Sequence, residues 1–134
     1  MKVFLSYAQS DREVARNLAT HLEEAGHKVW FADNALFPGQ NIALEVGKAL
    51  EKSEAMVVLL SPQALKSGSV QQEIGFALGA EQFRGRLIPV MVKPTADVPW
   101  ILKRFPIVKL GKSIVETSHE IGDYIKHGFE LTPA

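Results

Sequence analysis

Ala55-Met56-Val57-Val58-Leu59-Leu60, followed by Ser61-Pro62, decides the fold. An apolar run without polar alternation marks a parallel strand covered on both faces. It is far too short to span a membrane. Upstream, Lys28-Val29-Trp30-Phe31-Ala32 and Lys2-Val3-Phe4-Leu5-Ser6 are two further strand-like runs. Between them Val14, Leu18 and Leu22, with Ala15 and Ala19 alongside, place one apolar stripe on a helix. Ser10-Asp11-Arg12-Glu13 is its predicted capping box and Gly26 its stop. Ile42, Val46, Ala49 and Leu50 predict the next helix. Downstream, Val70, Ile74, Ala77 and Leu78 predict a third, and Leu87 to Val92 a fourth strand whose Pro89 favours a place near the edge. Pro94 to Pro99 reads as a loop and Pro106 to Leu110 as a short fifth strand. Ser113-Ile114-Val115-Glu116 reads as the capping box of the last helix.

Strands alternating with helices predict an α/β domain: a flavodoxin-like three-layer sandwich with a five-stranded parallel sheet in the order 2-1-3-4-5. The 134 residues suit one domain, with a core over about 1–128 and a tail over 129–134. In such a sheet the ligand site lies beyond the carboxyl ends of the strands. Here that selects the loops Ser6 to Ser10, Asp33 to Gln40, and Ser61 to Ser69.

Composition removes several classes of function. Fifteen basic residues against fifteen acidic ones, with a pI near 6.9, do not make a nucleic-acid binder. Cysteine is absent, which excludes disulfides and thiolate chemistry. No apolar signal segment opens the chain and no run is long enough for a membrane helix, so the expected location is cytoplasmic. The loops exclude more. A phosphoryl-accepting receiver needs acidic residues after strand one and an aspartate ending strand three, where this chain has Ser6-Tyr7-Ala8-Gln9 and Ser61. The loop after strand one lacks a flavin-phosphate glycine, and neither a P-loop nor G-x-G-x-x-G occurs. His21, His27, His119 and His127 lack metal-ligand spacing and read as solvated or locally bonded, so no metal site is expected. Gly75 and Gly79 suggest a helix approaching its neighbour closely.

Several stretches, taken in order, carry a resemblance: Val3-Phe4-Leu5-Ser6-Tyr7 with Asp11, Gly26-His27-Lys28-Val29-Trp30-Phe31, Phe37-Pro38-Gly39 and Val58-Leu59-Leu60-Ser61-Pro62. Gln72-Glu73-Ile74-Gly75-Phe76-Ala77-Leu78, Ile88-Pro89-Val90 and the strand at Ile107 continue it. Together they resemble a TIR (Toll/interleukin-1 receptor) domain over nearly the whole chain. The resemblance implies one of two functions. Some members cleave NAD at the nicotinamide–ribose bond with a glutamate on the third helix, here Glu73. Others are adaptors that assemble through the loop after strand two, here Asp33 to Gln40, and through helix surfaces. Bacterial members often act in antiphage defence.

The chemistry supports a single carboxylate. Nicotinamide leaves a cationic pyridinium as a neutral molecule and needs no general acid, whereas positive charge builds on the ribose. One preorganised carboxylate stabilises that centre, and helix starts supply amide donors for the diphosphate. The plainer explanation of Glu73 is a first-turn glutamate: with Ser69 as N-cap it would oppose the helix dipole for about 0.3–1 kcal/mol.

NAD-cleaving relatives often carry a tryptophan four residues before the glutamate, where this chain has Ser69. Phe37, in the loop at the expected mouth, is the first substitute ring and Tyr7 the second. Trp30 and Phe31 are expected in the core, and Trp100 could equally belong to an interface. Ser6, Asp33 and Asn34 are further candidate substrate contacts, although Ser6 also suits a strand end and the Asx pair a turn. Lys2, Lys48, Lys52 and Lys66 form no dense run and read as solvated.

The leading expectation is therefore an NAD glycohydrolase acting through Glu73, with cyclisation as the other product route. NAD is its substrate and no resident cofactor is called for. The alternative is a non-enzymatic TIR–TIR module assembling a signalling complex. Either would act with a separate sensor or effector, and without nucleic acid or membrane.

Overall fold

In a computed structural model, residues 1–111 and 113–129 are described. The expected tail lies outside them from residue 130 onward. Five parallel strands, β1 (Lys2–Ser6), β2 (Lys28–Trp30), β3 (Ala55–Leu60), β4 (Leu87–Met91) and β5 (Val108–Lys109), form one sheet in the order β2-β1-β3-β4-β5. Among the described residues six α-helices surround it: α1 (Arg12–Glu24), α2 (Ala32–Ala35), α3 (Ile42–Lys52), α4 (Pro62–Lys66), α5 (Gly68–Gly79) and α6 (Ile114–His127).

Every residue of β3 is fully buried. Alternation divides its side chains between two cores. Met56, Val58 and Leu60 join Phe4 from β1 and the inner faces of α3 and α5. Ala55, Val57 and Leu59 join Val3, Leu5 and the stripes of α1 and α6. Register ties the sheet together, with Ser6 opposite Val58 and Lys2 opposite Lys28. Pro89 is tolerated in β4 because β5 pairs only with Val90 and Met91, which leaves no ladder bond for its missing N–H on that side.

Several local expectations are corrected. The start of α1 is not a capping box. A 3₁₀ turn, Gln9–Asp11, precedes it, and Asp11 makes no cap bond. The Asp11 carboxylate is buried instead, accepting a hydrogen bond from Ser61 Oγ at 2.5 Å and pairing with Lys93 Nζ at 3.1 Å. β2 ends at Trp30, two residues early, because Ala32–Ala35 turns into a helix. The fifth strand shrinks to Val108–Lys109, and the extra helix α4 begins at Pro62 with Ser61 as its cap. A Cβ at Gly75 or Gly79 would meet nothing within 4 Å, so close helix approach does not explain them. His27 is half-buried, and its Nδ1 has no hydrogen-bond partner among the described residues. Burial, helped by the N-terminal amine and Lys126, pushes its pKa down, and the ring is neutral. Gly26 (φ +99°) and the Ser113 cap of α6, which accepts Glu116 N–H at 3.3 Å, match the sequence reading.

Ser61 therefore serves two elements: it accepts Ala64 N–H at 3.0 Å and donates to Asp11. Ser61→Ala removes a helix cap and leaves a buried carboxylate short of a donor. The expected loss is about 2–4 kcal/mol, measured as a lowered midpoint in urea unfolding.

Candidate active site

Glu73 faces the carboxyl end of β1. Ser67, not Ser69, caps α5: its Oγ accepts Val70 N–H at 3.3 Å and the helix starts at Gly68. Glu73 thus sits two residues deeper than a Ser69 cap would put it, beyond the first turn where the helix dipole acts. Favourable helix-start electrostatics do not account for a carboxylate there.

What meets it is Ser6, the last residue of β1 and itself buried, whose Oγ donates to Glu73 Oε1 at 2.7 Å. Burial pushes the Glu73 pKa above the ordinary glutamate range, and the Ser6 bond, which favours the charged form, opposes that rise. The carboxylate borders a cleft of about 280 Å³. Phe4, Tyr7 and Gln9 of the β1 end, Trp30 and Leu36 from the β2 side, Ile42 and Val46 of α3, and Ser67 and Ser69 complete its walls. Acid, hydroxyls and aromatic surface converge at the crossover between β1 and β3, where an open parallel sheet binds ligands.

The structure sorts the remaining candidates. Tyr7 lines the cleft and is fixed by Asp33: its hydroxyl donates to Asp33 Oδ1 at 2.5 Å and accepts Asp33 N–H at 3.0 Å. Burial, then the bond to Asp33, raises the phenol pKa well above its usual value, so Tyr7 stays neutral. Asp33 orders the start of α2 and is absent from the cleft wall. Asn34 lies apart, beside Arg16 and Glu23 in a groove along α1. Phe37 is 61% exposed and does not line the cleft either. Ser69 does, with its Oγ 3.1 Å from that of Ser67.

Trp30 escapes sequence reasoning, which expects it in the core as if β2 were central; β2 is the edge of the sheet, and the half-buried Trp30 borders the cleft while stacking on Phe4 (centroids 4.9 Å apart, planes at 11°). The predicted strand order already carried the signal, since it put strand two at the edge. Phe31 is buried as expected.

Comparison with known proteins gives a consistent picture. The TIR domain family profile matches residues 3–121. The chain is 31% identical over 97 residues to the NAD(+) hydrolase PdTIR of Paracoccus denitrificans, covering 71% of this chain and 32% of the relative. It is 26% identical over 128 residues to the 2′ cyclic ADP-D-ribose synthase BtTIR of Bacteroides thetaiotaomicron, covering 92% of this chain and 43% of the relative. The chain thus spans less than half the length of these curated relatives. Among solved structures, the TIR domain of the Toll-related receptor TRR-2 from Hydra magnipapillata superimposes with a TM-score of 0.78 at 25% identity, over 93% of this chain and 98% of that one.

A carboxylate whose pKa is raised by burial weakens the fold wherever it is ionised. The folded state holds the proton more tightly than the unfolded chain, so stability falls as pH rises from the ordinary glutamate value through the raised one. Glu73→Gln keeps the volume and an acceptor for Ser6 without the charge. The variant is expected to melt at a higher temperature than the parent at pH 7.5, with the gain vanishing below the ordinary glutamate range. Thermal melts across pH read both.

Proposed function

Because the chain belongs to the TIR domain family, we propose that it cleaves NAD at the nicotinamide–ribose bond with Glu73 as the catalytic carboxylate. The observation that carries this reading is the placement of Glu73: a half-buried acid whose charged form is disfavoured, held by Ser6, in a cleft at the sheet's crossover. Catalytic groups often occupy such costly positions. The names of the relatives support the substrate.

In the proposed reaction the C1′–N bond of the nicotinamide riboside breaks heterolytically. Its electron pair stays with the pyridine nitrogen, and neutral nicotinamide leaves. The positive charge appears at C1′ and the ring oxygen, where the Glu73 carboxylate opposes it in a cleft of low polarisability. Ser6 holds Glu73 in place and favours its ionised form. Ser69 offers a hydroxyl to the ribose, while Trp30 and Tyr7 supply the aromatic surface that Phe37 does not. The first amides of α5, beside Ser67 and Ser69, suit the diphosphate.

Water adding at C1′ and losing its proton gives ADP-ribose; a hydroxyl of the same nucleotide adding there gives a cyclic product. NAD enters as substrate, and the scheme needs no resident cofactor or metal. The setting we infer is cytoplasmic and bacterial, in immune signalling with a separate sensor or effector. Among the described residues no helix is long and apolar enough to cross a membrane.

Self-association is the second role, and a specific surface favours it. Phe37, Ile42 and Leu44 are 61%, 58% and 52% exposed, at the loop after α2 and the start of α3. That loop is ordered before any contact, because Phe37 N–H donates to Gln40 Oε1 and Asn41 caps α3. An apolar group on a preformed surface is what a protein interface uses. Asp33 to Gln40 and the adjacent α3 surface are the proposed contact between copies.

Glu73→Gln is expected to lower NAD turnover at least 100-fold with the circular dichroism spectrum retained; unchanged turnover would remove Glu73 from the mechanism. Activity requires ionised Glu73, so the rate should climb with pH along an acid limb lying above the ordinary glutamate range. Ser6→Ala removes the bond that favours the charge and should move that limb to higher pH, seen in kcat/KM profiles. Leu44→Asp should leave the fold intact and shift any concentration-dependent oligomer toward monomer in sedimentation velocity.

A further inference from the structure

We propose that the chain carries a second ligand site, for a phosphorylated aromatic molecule of mononucleotide size, at the amino end of the sheet beneath α3. A cavity of about 280 Å³ opens there, away from Glu73. Lys2, Lys28 and Lys52 surround it, Val29, Trp30 and Ala49 form apolar wall, and no carboxylate lines it.

The lysines are separated in sequence and only the fold unites them. Lys2 and Lys28 begin neighbouring parallel strands and stand in register. Phe4, two residues after Lys2, packs with Ala49 and Leu50 of α3, so both lysines emerge on the α3 face. Lys52 ends α3 and arrives from above. Like charges directly opposed across a strand pair repel, and among the described residues none of the three has an ion-pair partner. The neighbouring acid, Glu54, accepts the backbone N–H of Lys2 at 3.0 Å.

Three unpartnered cations around an apolar slot call for an anion joined to a flat apolar group. A phosphate takes the charge, since lysine binds phosphate as a compact point charge with three donors. An aromatic ring fills the slot beside Trp30, as rings do in nucleotide sites. The volume lies just under the usual range for small-molecule pockets, which suits one ring and one phosphate.

The test uses the chain's two tryptophans. Trp100 is 70% exposed and lines neither cavity, so Trp100→Phe leaves Trp30 as the sole indole reporter. Titration of this variant with AMP should change its emission saturably, with adenosine and inorganic phosphate each binding at least tenfold more weakly. Adding Lys2→Gln and Lys28→Gln should weaken AMP at least tenfold with the circular dichroism spectrum unchanged. Ser69→Phe, which narrows the Glu73 cleft, should leave AMP binding as it was. The proposal is overturned if AMP gives no saturable response, or if the lysine substitutions leave its affinity intact. It is equally overturned if Ser69→Phe abolishes binding, which would put AMP in the Glu73 cleft. NAD cleavage is scored separately, so the two sites stand or fall independently.

Discussion

β3 has no side chain that reaches water. A central strand apolar on both faces must be covered on both, and parallel strands reach one another only through crossover connections that bring helices to those faces. Burial of this kind, at about 25 cal/mol per Å² of apolar surface, is the main favourable contribution to folding. It also decides where chemistry can occur. With both faces occupied, polar groups that must approach a ligand are left to the rims of the sheet. Ser6, Tyr7, Ser61 and Glu73 gather at the carboxyl rim, and the lysines at the amino rim.

At the carboxyl rim two carboxylates, the buried Asp11 and the half-buried Glu73, are treated in opposite ways. Asp11 receives a hydroxyl and an ammonium group, from the ends of β3 and β4. Its charge joins the first turn after β1 to the segments that follow β3 and β4. Among the described residues Glu73 receives a single hydroxyl and no cation, so burial outweighs the hydrogen bond and its charged form is held at a cost. A purely structural carboxylate would be better served by the Asp11 arrangement. A cationic centre entering the cleft would relieve the imbalance at Glu73, and the proposed reaction develops one on the ribose.

The strand order and both core faces were legible because periodicity reports burial directly: the β3 run and the stripe of Val14, Leu18 and Leu22 allow one arrangement of layers. Glu73 was legible only through the ordered family pattern, since its spacing alone equally described a first-turn glutamate. Capping was the weak point. Ser61, Ser67 and Ser69 are chemically equivalent in sequence, and only the positions of α4 and α5 decide that the first two are caps. The capping box over Ser10 to Glu13 fails for a related reason: nothing local announces that Asp11 inside it will be claimed by Ser61, fifty residues away.

The largest misreading concerned β2. Three residues long and paired on one side only, it cannot bury Trp30 as β3 buries its own side chains. The indole is held by its stack on Phe4 and is left with edges on two cavities, one beside Glu73 and one among the lysines. An edge strand exposes unpaired backbone that folds normally blunt with charge or cover. Here the blunting falls to Lys28 and the short helix α2, and the concavities between β2 and α3 are what that incomplete cover leaves. The same shortness that makes β2 a poor strand thus opens two concavities along its border with α3.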